Sequence, residues 1–130
     1  MKKKTKSLIF WILFAIIIIA GIIFLVLENR KPGEFDDFAR CLEDKGTIFY
    51  GAFWCNHCQN QKKLFGKSAK LLPYIECSTP DGKGQLSVCT DVGVSSYPTW
   101  EFSDGSRELG EVSLEKLSEK TGCELFHNKI

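Results

Sequence analysis

The chain carries 20 consecutive residues without a charge, Leu8 to Leu27. As an α-helix this run spans roughly 30 Å, the thickness of a bilayer's hydrocarbon core. A helix apolar on every side needs lipid or a protein core around it, and what is left of a 130-residue chain is too small to enclose one. A cleaved signal peptide has an apolar stretch of only about 7–15 residues before a small-residue cleavage site. Here the run ends in Phe24, Leu25, Val26, Leu27 and Glu28, with no such pattern. Lys2, Lys3, Lys4 and Lys6 precede the span and only Arg30 and Lys31 follow closely, which favours a cytoplasmic N-terminus. The expected organisation is a basic cytoplasmic tail (1–7), a transmembrane helix (8–27), a linker (28–33) and an extracytoplasmic domain (34–126).

Outside the cytoplasm disulfides persist, so the six cysteines read as a redox and disulfide set. From Pro32 onward there are 11 basic and 15 acidic residues. A mildly acidic domain argues against nucleic acid as a partner, because phosphate binding needs a basic face.

Local patterns predict a mixed α/β domain. Phe35, Phe38, Ala39 and Leu42 fall at helical spacing within Glu34 to Asp44, and Gly46 suits the stop. Thr47 to Phe53 is β-branched and aromatic and reads as a buried strand. A helix is expected over Asn56 to Leu72, broken or kinked at Gly66. Pro73 to Cys77 reads as a strand, Ser78 to Gly84 as a loop, and Gln85 to Asp91 as a short helix. Thr99–Phe102 and Arg107–Gly110 read as a hairpin around Asp104-Gly105. Ser113 caps a last helix to about Thr121. The sum is a central mixed sheet of about four strands flanked by helices.

The chemistry concentrates in Trp54-Cys55-Asn56-His57-Cys58, where a strand ends and a helix begins. The first helical turn has unpaired N–H groups and a partial positive charge. A cysteine there ionises more easily, and the thiolate is the nucleophile of disulfide exchange. Two intervening residues let Cys58 fold back onto Cys55. His57 adds a positive charge that favours the reduced form and makes the pair more oxidising. Zinc ribbons also use Cys-x-x-Cys, but they need a second ligand pair. Cys77 and Cys89, 12 positions apart, do not form one, so no metal site is expected. With Cys55 and Cys58 set aside, Cys41, Cys77, Cys89 and Cys123 allow three disulfide pairings, and spacing does not choose among them.

These residues resemble the thioredoxin superfamily. Trp-Cys-x-x-Cys after an aromatic strand is similar to the motif of thioredoxins and protein disulfide isomerases, and Tyr97-Pro98-Thr99 is similar to their cis-proline loop. The resemblance covers about Phe35 to Cys123 and implies a thioredoxin fold. It further implies a cis bond before Pro98, catalytic roles for Cys55, Cys58, His57 and Pro98, and substrate contact through Trp54 and Tyr97. Asn56-His57 is closer to isomerases and DsbA-type oxidants than to reducing thioredoxins. Thioredoxins carry a buried acid six positions before the first motif cysteine, where this chain has Phe49. A closer resemblance lies in Phe53-Trp54-Cys55-x-His57-Cys58-Gln59-x-Gln61-Lys62 and Leu72-Pro73-Tyr74-Ile75-Glu76-Cys77. They are similar to the thioredoxin-like domain fused to, or partnering, bacterial homologues of vitamin K epoxide reductase. That resemblance implies disulfides Cys77–Cys89 and Cys41–Cys123 and electron transfer to a quinone-linked membrane partner.

The expected function is therefore oxidation of secreted or periplasmic protein thiols. No flavin, haem or quinone motif is recognisable, so no cofactor is expected and the electron acceptor is external. The rivals are a disulfide reductase or isomerase fed by a transmembrane donor and, from another class, a copper- or zinc-binding module. Trp100 reads as core, and Lys62, Lys63, Lys67 and Lys70 as a solvated helix face. His127 reads as part of a frayed tail without a role.

Overall fold

A computed structural model describes residues 2–126; His127 lies outside them. The chain divides into two units, Met1–Lys31 and Pro32–Ile130. The first is helix α1, Lys2–Asn29. Its stretch Thr5–Asn29 has a mean hydropathy of 3.2, making it the one helix among the described residues long and apolar enough to cross a membrane. Its large apolar side chains are exposed along its length.

The second unit runs α2 (Asp36–Asp44), β1 (Ile48–Gly51), α3 (Asn56–Leu64), a 3-10 turn (Gly66–Leu71), β2 (Tyr74–Glu76), α4 (Ser87–Thr90), β3 (Thr99–Glu101), β4 (Arg107–Leu109) and α5 (Leu114–Thr121). The four strands form one sheet in the order β2-β1-β3-β4. β1 pairs parallel with β2 and antiparallel with β3, and β3 pairs antiparallel with β4. This mixed four-stranded sheet flanked by helices is the thioredoxin fold that the motifs imply.

Strand alternation sorts β1 onto two cores. Phe49 joins the larger one with Phe38, Leu42, Cys58, Phe65, Trp100 and Leu117. Tyr50 joins a smaller one on the opposite face with Cys77, Cys89 and Val94. Phe49 is fully buried, stacked on Trp100 at 4.6 Å and meeting Tyr74 edge-on at 5.2 Å. Each such aromatic pair adds about 0.5–1.5 kcal/mol beyond its area burial. An aromatic stack therefore fills the place where thioredoxins keep their acid.

The first strand is shorter than the sequence reading gave it. β1 ends at Gly51 and leaves Phe53 about half exposed, because the chain turns at Ala52, whose carbonyl accepts the Cys55 N–H at 3.0 Å. The expected break at Gly66 is present: α3 ends at Leu64, and a 3-10 turn over Gly66–Leu71 follows, with Gly66 at φ +53°. That turn buries Ser68, whose hydroxyl accepts the Phe35 N–H at 3.0 Å. The same close approach makes Gly33 buried, since a Cβ there would stand 2.2 Å from Ser68 Oγ.

Candidate functional site

Cys55 is the N-cap of α3, and its sulfur accepts the Cys58 N–H at 3.4 Å. This is the geometry of an N-cap oxygen with sulfur in its place, and it aims a first-turn N–H at the atom that carries negative charge when Cys55 ionises. Cys55 is 7% exposed and Cys58 is 0% exposed. Neither is in a disulfide, so the site holds a dithiol. Burial pushes the Cys58 thiol up to about 12, helped by its hydrogen bond with Cys55.

The loop before the dithiol is tied to its surroundings. Gln59 Nε2 donates to the Phe53 carbonyl at 2.8 Å, and Trp54 Nε1 donates to Ser78 Oγ at 2.8 Å. The Phe53 and Ser78 N–H groups both donate to Glu76 Oε1, at 3.2 and 2.8 Å. Trp54 is about half exposed and meets Tyr97 edge-on at 6.0 Å.

The Tyr97–Pro98 peptide is cis. The loop it closes lies against the dithiol, with Cys55 Sγ donating to the Tyr97 carbonyl at 3.7 Å. Between loop and motif runs an open groove, with Trp54, Cys55, Asn56 and His57 on one side and Ser95, Ser96 and Tyr97 on the other. Gln85 fixes the Tyr97 ring by donating to its hydroxyl at 2.5 Å and to the Val94 carbonyl at 2.8 Å.

His57 lies beside Cys55 in sequence, but its side chain turns outward. It is 71% exposed and pairs with Glu111, Nδ1 to Oε1 at 2.7 Å. Asn60 donates to the same oxygen at 3.2 Å. The imidazole and that amide hold the Glu111 carboxyl below its usual range. Glu111, 54 positions from His57, had no sequence signal. Buried Gln61, part of the matched run but given no role there, donates to the Val112 carbonyl at 2.9 Å and accepts the Val112 N–H at 2.7 Å, joining α3 to the segment before α5.

The other four cysteines are paired as Cys41–Cys123 and Cys77–Cys89. Trp100 is fully buried. Lys62 departs from the solvated face assigned to it: its Nζ sits 3.4 Å from the centroid of the Tyr74 ring. Among the described residues no group of three or more His, Cys, Asp or Glu side chains could hold a metal ion.

A thioredoxin fold with a Cys-x-x-Cys dithiol at a helix N-terminus is an arrangement suited to thiol–disulfide exchange. Relatives of known activity point the same way. The chain is 45% identical over 92 residues to a thiol-disulfide oxidoreductase of Arabidopsis thaliana, covering 67% of this chain and 24% of that protein. It is 29% identical over 104 residues to a protein disulfide-isomerase of Neurospora crassa, covering 70% and 28%. It is 30% identical over 92 residues to a second Arabidopsis thaliana protein, a protein disulfide-isomerase, covering 63% of each. The chain thus spans about a quarter of the length of the first two. No family model matches it.

Proposed function

We propose that this chain is a membrane-anchored extracytoplasmic thiol–disulfide oxidoreductase that oxidises protein dithiols, with Cys55 as the attacked sulfur and Cys58 as its resolving partner. The observation that carries this reading is the division of the six cysteines. Four are closed into disulfides while the pair at the α3 N-terminus is a dithiol beside the groove. The two disulfides support an oxidising compartment. Anchoring by α1, with the lysines before the span left inside, is the matching topology.

In the oxidising cycle a substrate thiolate attacks Cys55 Sγ of the Cys55–Cys58 disulfide, and Cys58 leaves as thiolate and takes up a proton. A second substrate thiolate then attacks the substrate sulfur of the mixed disulfide, forming the substrate disulfide and releasing Cys55. Trp54 and Tyr97 line the groove in which an extended substrate would lie, and the loop ending at Pro98 forms its second wall. Each turnover leaves the dithiol reduced, so an external acceptor is required. The resemblance of Phe53–Lys62 and Leu72–Cys77 favours a quinone reductase of the vitamin K epoxide reductase type, and anchoring to the membrane raises the effective concentration of the domain near such a partner.

The test is reconstitution of the reduced full chain with that partner and quinone in liposomes, following the redox state of Cys55 and Cys58. Reoxidation that depends on partner and quinone is the expected result. Failure to reoxidise, together with a transmembrane donor that keeps the pair reduced in cells, would establish the reductase reading instead.

A further inference from the structure

We propose that Tyr74 and Glu76 form the proton relay for Cys58, replacing the acid that Phe49 displaces. The inference rests on the reading of Cys58 as the resolving thiol and adds the group that takes its proton.

The need is chemical. Cys58 is fully buried, and its thiol is held high enough that thiolate is a trace species at neutral pH. Its attack on a mixed disulfide at Cys55 therefore has to be coupled to proton removal. The position two residues before Gly51, on the same face of β1, that would hold an acid is aromatic, and Phe49 has no proton chemistry.

The neighbouring strand supplies what β1 lacks. In the parallel register Phe49 stands beside Tyr74 and Gly51 beside Glu76. Gly51 has no side chain to separate Tyr74 from Cys58. A Cβ there would stand 2.7 Å from Tyr74 Cε2, 3.0 Å from Cys58 Sγ and 3.4 Å from Tyr74 Oη. The phenol edge and the sulfur thus border the same bare glycine. The Tyr74 hydroxyl spends its hydrogen on Glu76 Oε2 at 2.7 Å, which leaves its lone pairs free for an incoming proton. The other oxygen, Oε1, accepts the Phe53 and Ser78 N–H groups, which fix the carboxylate in place. Burial, and next the Glu76 carboxylate, push the Tyr74 phenol up, so it stays neutral and passes a proton on instead of holding a charge. The charged or titratable groups facing this pair are Cys58, Cys55 and Lys62, whose ammonium lies over the Tyr74 ring.

The step balances. The Cys58 S–H proton crosses the Gly51 gap through one water to Tyr74 Oη as the Tyr74 hydrogen moves to Glu76 Oε2. The electron pair left on Cys58 forms the bond to Cys55 Sγ, the bond from Cys55 to the substrate sulfur breaks, and that sulfur leaves with the electron pair as thiolate. Glu76, half-buried, returns the proton to solvent, where the thiolate takes it up. In the opposite direction the same chain delivers a proton to the departing Cys58.

The experiment uses the reduced full chain in detergent micelles and glutathione disulfide as probe. Acid quench and mass analysis separate formation of the glutathione–Cys55 mixed disulfide from its resolution by Cys58, across pH 5 to 9. Glu76→Gln keeps an oxygen for the two N–H groups, and Tyr74→Phe leaves Glu76 and both N–H groups in place. Both variants should slow resolution at pH 7 by about 100-fold, the lower end of what a positioned acid–base group contributes. Resolution should then rise with pH throughout, while formation stays at the unmodified rate. Slowing of less than about tenfold, or equal slowing of both steps, overturns the relay; if Glu76→Gln does not fold, Tyr74→Phe decides alone. Failure of the unmodified chain to form any mixed disulfide at Cys55 would sink the redox reading itself, a separate outcome.

Discussion

Opening the Cys41–Cys123 bond should destabilise the domain more than opening Cys77–Cys89, although both are buried at one end or both. The first closes a loop of 82 positions and the second a loop of 12. In the chain-entropy account these loops correspond to about 4.5 and about 2.8 kcal/mol, a gap of about 1.7 kcal/mol. Alanine at both positions of each pair avoids leaving a buried hydroxyl, but the voids differ. Cys77 and Cys89 are both 0% exposed and Cys123 is 1% exposed, whereas Cys41 is only half-buried. The extra buried sulfur narrows the gap to about 1 kcal/mol. Urea unfolding of the full chain in micelles, followed by fluorescence of the buried Trp100, reads the order directly. Both variants should also show a larger m-value, because the unfolded chain expands once the crosslink is gone. Equal losses, or a larger loss from Cys77→Ala/Cys89→Ala, would refute the entropic reasoning and place the stabilisation in local packing.

Three further outcomes are expected. Cys58→Ser should accumulate mixed disulfides with substrate proteins while Cys55→Ser traps few, as non-reducing gels will show; equal or reversed trapping contradicts the assignment of roles. The Glu111 carboxyl is held low by His57, so its contribution to stability is complete above the ordinary glutamate range and is lost as pH falls through the lowered value; Glu111→Gln should flatten that acid limb of the urea midpoint, and an unchanged limb counts against the pairing. Gly51→Ala should cost about 1–3 kcal/mol through overpacking against Tyr74 and Cys58 and slow resolution more than formation; neutral behaviour would mean that the two side chains are not packed over Gly51 as described.

Much of this fold was legible because its signals are local. The strand-to-helix junction at Cys55, the Asp104-Gly105 hairpin and the limits of α5 follow from neighbours in sequence. Ser113 accepts the Lys116 N–H at 3.2 Å, and Gly122 ends the helix at φ +73°. What the sequence hid depends on partners brought from a distance. Lys62 belongs to a helix face that reads as solvated until β2 places Tyr74 beneath it. Glu76 sits on a strand of three residues, too short for periodicity to say which groups its oxygens meet. Phe53 has a strand former's side chain, but the turn at Ala52 that delivers Cys55 to the α3 N-terminus ends the pairing first.

The fold also explains how one domain keeps two kinds of cysteine apart. Exchange requires a thiolate to reach a disulfide sulfur. Cys77 and Cys89 pack with Tyr50 on one face of the sheet, and Cys58 packs with Phe49 and Trp100 on the other. The sheet itself therefore lies between the dithiol and that bond. Cys123 shares the larger core with Cys58, but it is held at the α5 C-terminus, where its carbonyl accepts the Ser118 hydroxyl at 2.6 Å and its N–H donates to Thr121 Oγ1 at 3.2 Å. Its bonded partner Cys41 is anchored in α2. Cys55 lines an open groove, so in the proposed function the sulfurs within its reach are those that a substrate or redox partner would bring to it. Cycling at Cys55 and Cys58, as proposed, would then leave the two structural bonds intact, so that the stability they contribute would not depend on the redox state of the site.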